Sequence, residues 1–262
     1  MTRYIRLALL FWKQSIIREM EFPKNFWFVV FTNGAHFATQ LLFVEILFSH
    51  TSALAGWSKP SALVFLATWG IVTSILLLLC ENSFVDFGDD VHSGQFDFHL
   101  LRPIDAQFII SIRRLTLSHI GEPFFYLCVL GVLVFKGMIT LSLLGVAGYV
   151  LLLILAMIVG YHIWIAFTTA IFWTPYIDHF NFLFMTVASI ARYPLEVYGV
   201  AARLVFLTVM PIGLMAALPA EFLLGVGSWQ GIVYAIVMTL IITVLTRIWW
   251  RFALRHYASA SS

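Results

Sequence analysis

The polar residues best suited to chemistry lie between Glu81 and Asp105, the longest polar interval in an otherwise apolar chain. The interval holds six of the 13 acidic residues: Glu81, Asp86, Asp89, Asp90, Asp97 and Asp105. Carboxylates with a nearby His92 are the residue types that bind metal ions, but their spacing matches no standard metal-binding loop. We therefore expect a solvated acidic face and no metal site. Asp178 and His179 are adjacent, and an interfacial polar pair is the simpler interpretation there.

Other ionisable residues lie inside apolar runs, where a charge is costly unless it faces protein or a wet cavity. They are Glu45, His119, Glu122 and His162. Glu122 precedes Pro123, which frees a backbone carbonyl and can kink a helix. Glu122, Glu45 and His119 are therefore candidates for a translocation path. The alternatives are polar contacts between packed helices and a position at the membrane interface.

The chain lacks the motifs of several enzyme classes. It contains no P-loop, no H-E-x-x-H and no G-x-S-x-G, so the usual ATP cradle, a zincin site and a nucleophile elbow are not predicted. We expect no cofactor bound by this chain and no catalytic residue in it. Cys80 and Cys128 both fall in apolar runs, which favours neither a disulfide framework nor a zinc site.

Composition indicates what surrounds these residues. The chain has 262 residues, of which 61% are hydrophobic and 11% charged, with a formal net charge of +2. A soluble domain is about half apolar and about a quarter charged. This apolar excess predicts a multi-span membrane protein, in contact with the lipid bilayer and without a nucleic-acid partner.

The apolar runs predict an all-α membrane protein with one transmembrane domain over residues 1–262. Residues 2–24 mix five cations with apolar side chains, which predicts an amphipathic helix lying in the membrane interface. Phe182–Ala191 is too short to span and is expected to be interfacial. Pro211 interrupts the fifth run. An alternative to one straight fifth span is that residues 214–224 form a short re-entrant segment. The six predicted spans are 26–48, 62–80, 115–135, 139–173, 200–218 and 229–250, and residues 81–106 form a loop after the second.

The basic residues orient this arrangement, because cytoplasmic segments of membrane proteins carry an excess of Lys and Arg. With both termini in the cytoplasm, Lys59 and Lys136 are the two basic residues outside. The other 13 of the 15 are inside: Arg3, Arg6, Lys13, Arg18, Lys24, Arg102, Arg113, Arg114, Arg192, Arg203, Arg247, Arg251 and Arg255. The split predicts six spans with a cytoplasmic 81–106 loop.

Two stretches resemble a known family. Residues 94–103 read GQFDFHLLRP, which resembles the G-x-hydrophobic-D-x-x-L-L-R-P stretch of ABC-2 type transporter permeases, in a subgroup formerly described as of unknown function. Arg192, Tyr193 and Pro194, followed by Pro211 and Pro219, are similar to the R-Y-P segment and later prolines of that subgroup. The order and spacing of these motifs match over nearly the whole chain.

The resemblance implies an exporter subunit in a bacterial cytoplasmic membrane. Such permeases pair with a second permease, of the same or a different chain, and with two separate ATPase subunits that hold the ATP and Mg²⁺. It implies that the loop after the second span is the coupling helix that docks on the ATPase, and that the N-terminal helix is a connector. The implied docking residues are Gly94, Phe96, Asp97, Phe98, Leu100, Leu101, Arg102 and Pro103.

The aromatic content of 16% favours a hydrophobic or amphiphilic substrate for such an exporter. The sequence leaves two other classes of protein open. An integral membrane enzyme would need the 86–92 cluster to converge with Asp178 and His179. An ion-coupled secondary transporter would show repeated halves and paired intramembrane charges, and the sequence shows neither.

Overall fold

The computed structural model describes residues 2–53, 56–174 and 180–257, and in these residues it contains helices and turns but no β-strand. Eleven α-helices are found in the described part of the chain: α1 (Thr2–Glu19), α2 (Pro23–His50), α3 (Lys59–His92), α4 (Phe96–Leu100), α5 (Ala106–Ile112), α6 (Glu122–Phe135), α7 (Leu143–Thr169), α8 (Phe180–Ile190), α9 (Val200–Thr208), α10 (Ala217–Leu223) and α11 (Trp229–His256). Short 3₁₀ turns lie at Leu117–His119, Ala170–Phe172, Leu195–Val197 and Ile212–Met215.

Helix α3 forms the centre of the bundle. Its membrane part is apolar on every face, which is typical of a helix surrounded by protein, and Val64, Val72 and Ser74 are fully buried. Helices α5, α6, α7, α8 and α10 pack around it. Its 34 residues extend about 50 Å, so α3 defines two ends of the molecule, here called the Lys59 end and the His92 end.

Five segments are long and apolar enough to cross a membrane, or six if the bent pair of α9 and α10 counts as one span. The five are Pro23–His50, Lys59–His92, Leu117–Phe135, Leu143–Phe172 and Trp229–His256. They include the predicted runs 26–48, 62–80 and 229–250, all but the first two residues of 115–135, and all but the first four residues and the last residue of 139–173. The predicted N-terminal helix over residues 2–24 is shorter in the structure. Helix α1 ends at Glu19, and α2 already begins at Pro23.

The predicted loop at 81–106 is largely helical, which corrects the sequence interpretation. Residues 81–92 continue α3 for more than three turns, because Phe84, Phe87 and Val91 keep an apolar face buried against the bundle. Only residues 93–95 and 101–105 lie outside helices in this interval. Five of the six acidic side chains of the interval, all but that of Asp105, are thus carried on helices.

The expected kink at Pro123 is also corrected. Pro123 lies in the first turn of α6, where proline starts a helix because its missing N–H has no intrahelical acceptor. Glu122 is therefore the first residue of α6, and its carboxylate lies at the end of the helix dipole that favours negative charge.

Helix α8 was expected to lie in the interface, but the structure packs it into the bundle. The Phe184 ring stacks on Trp164 of α7 with centroids 4.3 Å apart, and the Trp69 indole N–H donates to the Ala188 carbonyl at 2.8 Å. Phe184 and Ala188 are each 1% exposed. Trp164 lies toward the His92 end and Trp69 toward the Lys59 end, so α8 ascends between α3 and α7.

The chain leaves α8 at the Lys59 end. Arg192, Tyr193 and Pro194 line a small pocket with residues from the last turns of α2, with Trp57, and with the first turns of α3. The sequence placed Arg192 on the same side as Gly94, and this is wrong, because α3 separates the two by nearly its full length.

The predicted fifth span at 200–218 is not one helix. Helix α9 and the following segment Ile212–Leu223, which comprises a 3₁₀ turn and α10, meet at an angle of 72° across the break at residues 209–211. After this bend Met215 lies against Gly160, midway along α7, and Phe222 lies against Gly148 near the start of α7. The segment thus starts at the Lys59 end, turns beside α7 and runs back toward the start of α7.

This path of α8 can be tested by labelling single cysteines introduced into a Cys80→Ser, Cys128→Ser background. We expect Val197→Cys and Ser52→Cys, both at exposed positions of the Lys59 end, to react from one side of the membrane. Ser93→Cys, just beyond the His92 end of α3, should react only from the other side. Reaction of Val197→Cys from the same side as Ser93→Cys would contradict the ascent of α8.

Candidate functional site

The charged side chains of the polar interval form a paired network at the His92 end. Asp90 accepts from Arg113 at 2.6 Å, and the His99 ring nitrogen Nε2 lies 3.0 Å from the same carboxylate oxygen. Asp86 pairs with Arg113 at 3.3 Å and with Arg114 at 3.0 Å. Because these pairs join α3, α4 and the end of α5, the acidic face expected from the sequence is largely neutralised by contacts within the chain.

A left-handed turn at Gly94 lets the chain reverse after α3. Gly94 has φ of 73°, a conformation that costs other residues a steric penalty. The reversal inserts Phe96 into a cluster of aromatic rings from three other elements, where it is 0% exposed. Its ring centroid lies 5.2 Å from Phe87, 5.5 Å from Phe172, 6.4 Å from Trp250 and 5.2 Å from Tyr257.

Phe96 is therefore an internal anchor, which corrects its assignment as a docking side chain. The outward side of the same segment carries apolar residues that face away from the bundle: Phe98 is 65% exposed, Leu101 81% and Leu100 41%. We call these three residues the apolar ridge. Arg102 and Pro103 beside it are also exposed, whereas Asp97 is partly buried and has contacts within the chain.

Asp105 ties the end of this segment to α11. Its side chain accepts from the Phe108 backbone N–H, which caps α5, and from the Arg247 guanidinium. Arg247 also donates to Gln107 at 2.5 Å. Burial would raise the pKa of the Asp105 carboxyl, but the hydrogen bonds from Arg247 and Phe108 outweigh burial and hold that pKa below its usual range.

A second charged cluster lies where α3, the 3₁₀ turn at Leu117–His119 and α6 meet. His119 Nδ1 is 2.6 Å from Glu122, and His119 Nε2 is 3.0 Å from Glu81. The side chains of His119 and Glu122 are 16% and 17% exposed. Because a carboxylate only accepts hydrogen bonds, the imidazole satisfies two ionised carboxylates only when both of its nitrogens carry protons.

The structure separates Glu45 from this cluster, although the sequence grouped it with His119 and Glu122. Glu45 lies at the Lys59 end, where it pairs with Lys59 at 2.6 Å and lines a cavity between α2 and α6. The rings of Phe37, Phe125 and Tyr126 lie between that cavity and the His119 cluster, with centroids 5.1–5.4 Å apart. Glu45 and Glu122 are therefore not parts of one site.

The R-Y-P segment has structural contacts at the Lys59 end. The Arg192 guanidinium lies over the Trp69 ring, 5.6 Å from the centroid, and Pro194 precedes the 3₁₀ turn at Leu195–Val197. Pro211 is the N-cap of the 3₁₀ turn after α9, at the bend, and Pro219 is buried in the first turn of α10. Pro175, Asp178 and His179 lie outside the described residues.

Sequence reasoning missed several partners at these sites. Arg113 and Arg114 were counted only for orientation, although two adjacent cations after a strongly acidic helix were a signal for pairing with Asp86 and Asp90. Glu81 was assigned to the polar interval, whereas the structure joins it to His119. Nothing in the sequence indicated that Glu45 and Lys59, which are 14 positions apart, would pair.

Comparison with known proteins gives one match. The model of a family described as ABC-2 family transporter protein matches residues 35–261. No curated protein and no solved structure matches the chain.

The two phenylalanines of α4 provide a matched pair for stability. We expect Phe96→Ala to lower the free energy of unfolding by about 3–5 kcal/mol, because it removes a ring from a fully buried cluster. Phe98→Ala removes the same atoms from an exposed position and should change that free energy by less than about 1 kcal/mol. Thermal unfolding of the purified variants in one detergent measures both. Equal losses for the two variants would show that Phe96 is not the internal anchor.

Proposed function

The chain belongs to the ABC-2 family of transporter proteins, and from this we propose that it is the membrane-spanning permease subunit of an exporter driven by a separate ATPase. The apolar ridge of Phe98, Leu100 and Leu101 is the observation that carries the proposal. Exposed apolar side chains on a short helix at the end of a membrane bundle have no structural role within the chain, and apolar anchors of this kind dock into grooves of partner proteins.

The ridge is built to transmit movement. Phe96, directly behind Phe98, fills the aromatic cluster with Phe172 and Trp250, while Asp90–Arg113 and Asp105–Arg247 join the same segment to α3, α5 and α11. A displacement of the ridge by a partner is therefore imposed on α3, on α11 and on the 3₁₀ turn that ends α7. Closure of two ATPase subunits on ATP would shift the permease between inward-facing and outward-facing states by the difference in binding free energy.

We assign six crossings to the chain: α2, α3, α6, α7, α8 and α11. Helix α8 takes the place of the predicted fifth span, and α9 with α10 forms a re-entrant hairpin open to the outside. Irregular backbone such as the bend before Pro211 is tolerated at membrane depth when protein surrounds it, and Ile212, Met215 and Ala216 at the bend are 0% exposed.

This topology keeps both termini in the cytoplasm and moves Arg192 and Arg203 outside. Arg203 pairs with Glu196 at 3.6 Å, beside the R-Y-P segment. Of the 15 basic residues, 11 then lie in inside segments and four in outside segments, whereas the sequence interpretation had 13 inside and two outside. The excess of inside cations still supports the orientation.

Helix α1 fits an interfacial connector. Its Tyr4 ring packs on Phe108 of α5 with centroids 4.7 Å apart, and Ser15 accepts from the Leu115 backbone N–H at 3.0 Å. Apolar side chains on its other faces, Leu9 and Ile17 among them, are exposed and suit contact with lipid. For such an exporter permease, we propose a bacterial cytoplasmic membrane as the location.

The assembly would contain two ATPase subunits and a second permease, of the same or a different chain, with ATP and Mg²⁺ held by the ATPases. A hydrophobic or amphiphilic cargo fits the apolar, aromatic lining of the bundle. An ion-coupled transporter and a membrane enzyme are less well supported, because the family assignment and the apolar ridge both point to a subunit driven by a partner.

Truncating the apolar ridge should release the ATPase. For the double variant Phe98→Ala, Leu101→Ala we expect at least about tenfold less ATPase recovered per permease, since losing central apolar anchors costs about 2 kcal/mol or more. The permease level in membranes should stay unchanged. Leu240→Ala, an equally exposed truncation on α11, is the control. Normal ATPase recovery with the double variant would place the dock elsewhere, with α1 the next surface to test.

Neutralising Glu122 should impair transport without disassembly. Glu122→Gln keeps a hydrogen-bond acceptor for His119 but removes one of two charges that hold the imidazolium, and transport should fall while ATPase co-purification and basal ATP hydrolysis persist. Glu81→Gln should act in the same direction, and Glu21→Gln, an exposed carboxylate before α2, should not. If a folded Glu122→Gln protein transports at the wild-type rate, the cluster is only a contact between packed helices and has no role in transport.

A further inference from the structure

A cavity lies near the Lys59 end, remote from the apolar ridge and from the ion pairs of the His92 end. It has a volume of about 640 Å³ and is bounded by α2, the first turns of α3, and α6. Ligand pockets commonly measure about 300–1,000 Å³. Its walls are almost entirely apolar: Phe37, Leu41, Leu63, Phe125, Val129 and Val132.

The two ends of this cavity differ in chemistry. The stacked rings of Phe37 and Phe125, 5.4 Å apart, line the end that lies farther along α2 and α6 from Glu45 and Lys136. Glu45, Lys59 and Lys136 line the other end of the cavity, where α2 and α6 finish and α3 begins. An apolar pocket with its polar groups gathered at one end fits a ligand that is itself apolar at one end and polar at the other.

The charge at the mouth is unbalanced toward positive. Lys59 pairs with Glu45 at 2.6 Å, which leaves the second lysine in excess. Lys136 has no ion pair in the part of the chain that the structure describes, and it is exposed. Two of the chain's four lysines therefore converge on one cavity, at the end of the bundle where basic residues are fewest.

We propose that this cavity binds an anionic single-chain amphiphile, with its acyl chain between α2 and α6 and its head group at Lys59 and Lys136. The apolar walls would shield the acyl chain from water, and the lysines at the mouth supply the positive charge that complements a phosphate or carboxylate head group. Along α2 the wall from Phe37 to Glu45 is about 12 Å long, which matches an extended chain lying parallel to the helices. The proposal does not require ATP-driven transport, because binding is a property of the permease alone.

Native mass spectrometry of the purified permease in a neutral detergent tests the proposal. The probes are lysophosphatidylglycerol and lysophosphatidylcholine with the same acyl chain, which differ in net charge. The variants are Lys59→Gln and Lys136→Gln, singly and together, with Lys24→Gln as a lysine remote from the cavity. Val132→Trp fills the cavity from a side chain that is already 51% exposed, so it disturbs packing little. Elution as a single folded species is required of every variant.

The wild-type protein should retain the anionic probe in preference to the zwitterionic probe. Each lysine substitution should weaken binding of the anionic probe by up to about fivefold, as expected for a partly exposed charge pair. The double variant should bind the anionic and the zwitterionic probe equally well. Val132→Trp should reduce retention of both probes, and Lys24→Gln should change neither. Equal retention of the two probes by the wild type, or an unchanged preference in the double variant, would overturn the proposal. Undiminished binding by Val132→Trp would place the ligand outside this cavity.

Discussion

One uninterrupted helix, α3, connects the two ends of this molecule, and the other elements depend on its burial. A helix that is apolar on every face is stable only when other helices or lipid cover it, and α5, α6, α7, α8 and α10 cover most of α3. The same helix extends past the apolar region to carry Asp86 and Asp90. Whatever contacts the His92 end is thus joined by a rigid element to the packing at the Lys59 end.

The charged residues divide into groups with different physical roles. At the His92 end, ion pairs between Asp86, Asp90, Arg113 and Arg114 hold short helices in place and leave an apolar surface exposed. Between α3 and α6, Glu81, His119 and Glu122 satisfy one another at partly buried positions. A lone charge there would be costly, so the cluster forms a unit in which a change at one residue affects the other two.

The apolar ridge and the cavity near Lys59 lie at opposite ends of the molecule and differ in shape. The apolar ridge projects from the bundle and suits a protein groove, whereas the cavity near Lys59 recedes into the bundle and suits a small amphiphile. Aromatic rings separate the cavity from the His119 cluster. The bent segment of α9 and α10 packs on α7 and contributes no residue to the wall of this cavity.

The sequence by itself determined the class of protein and five of the long apolar segments, because these follow from local composition. It also indicated through its motifs the family to which the chain belongs. Tertiary structure alone decided that Phe96 points inward and Phe98 outward, since two aromatic residues two positions apart look alike in sequence. It decided as well that α8 ascends beside Trp69 and Trp164. The hydropathy of an 11-residue helix does not indicate whether it lies in the interface or within a bundle, and only the contacts made by its buried face reveal its path.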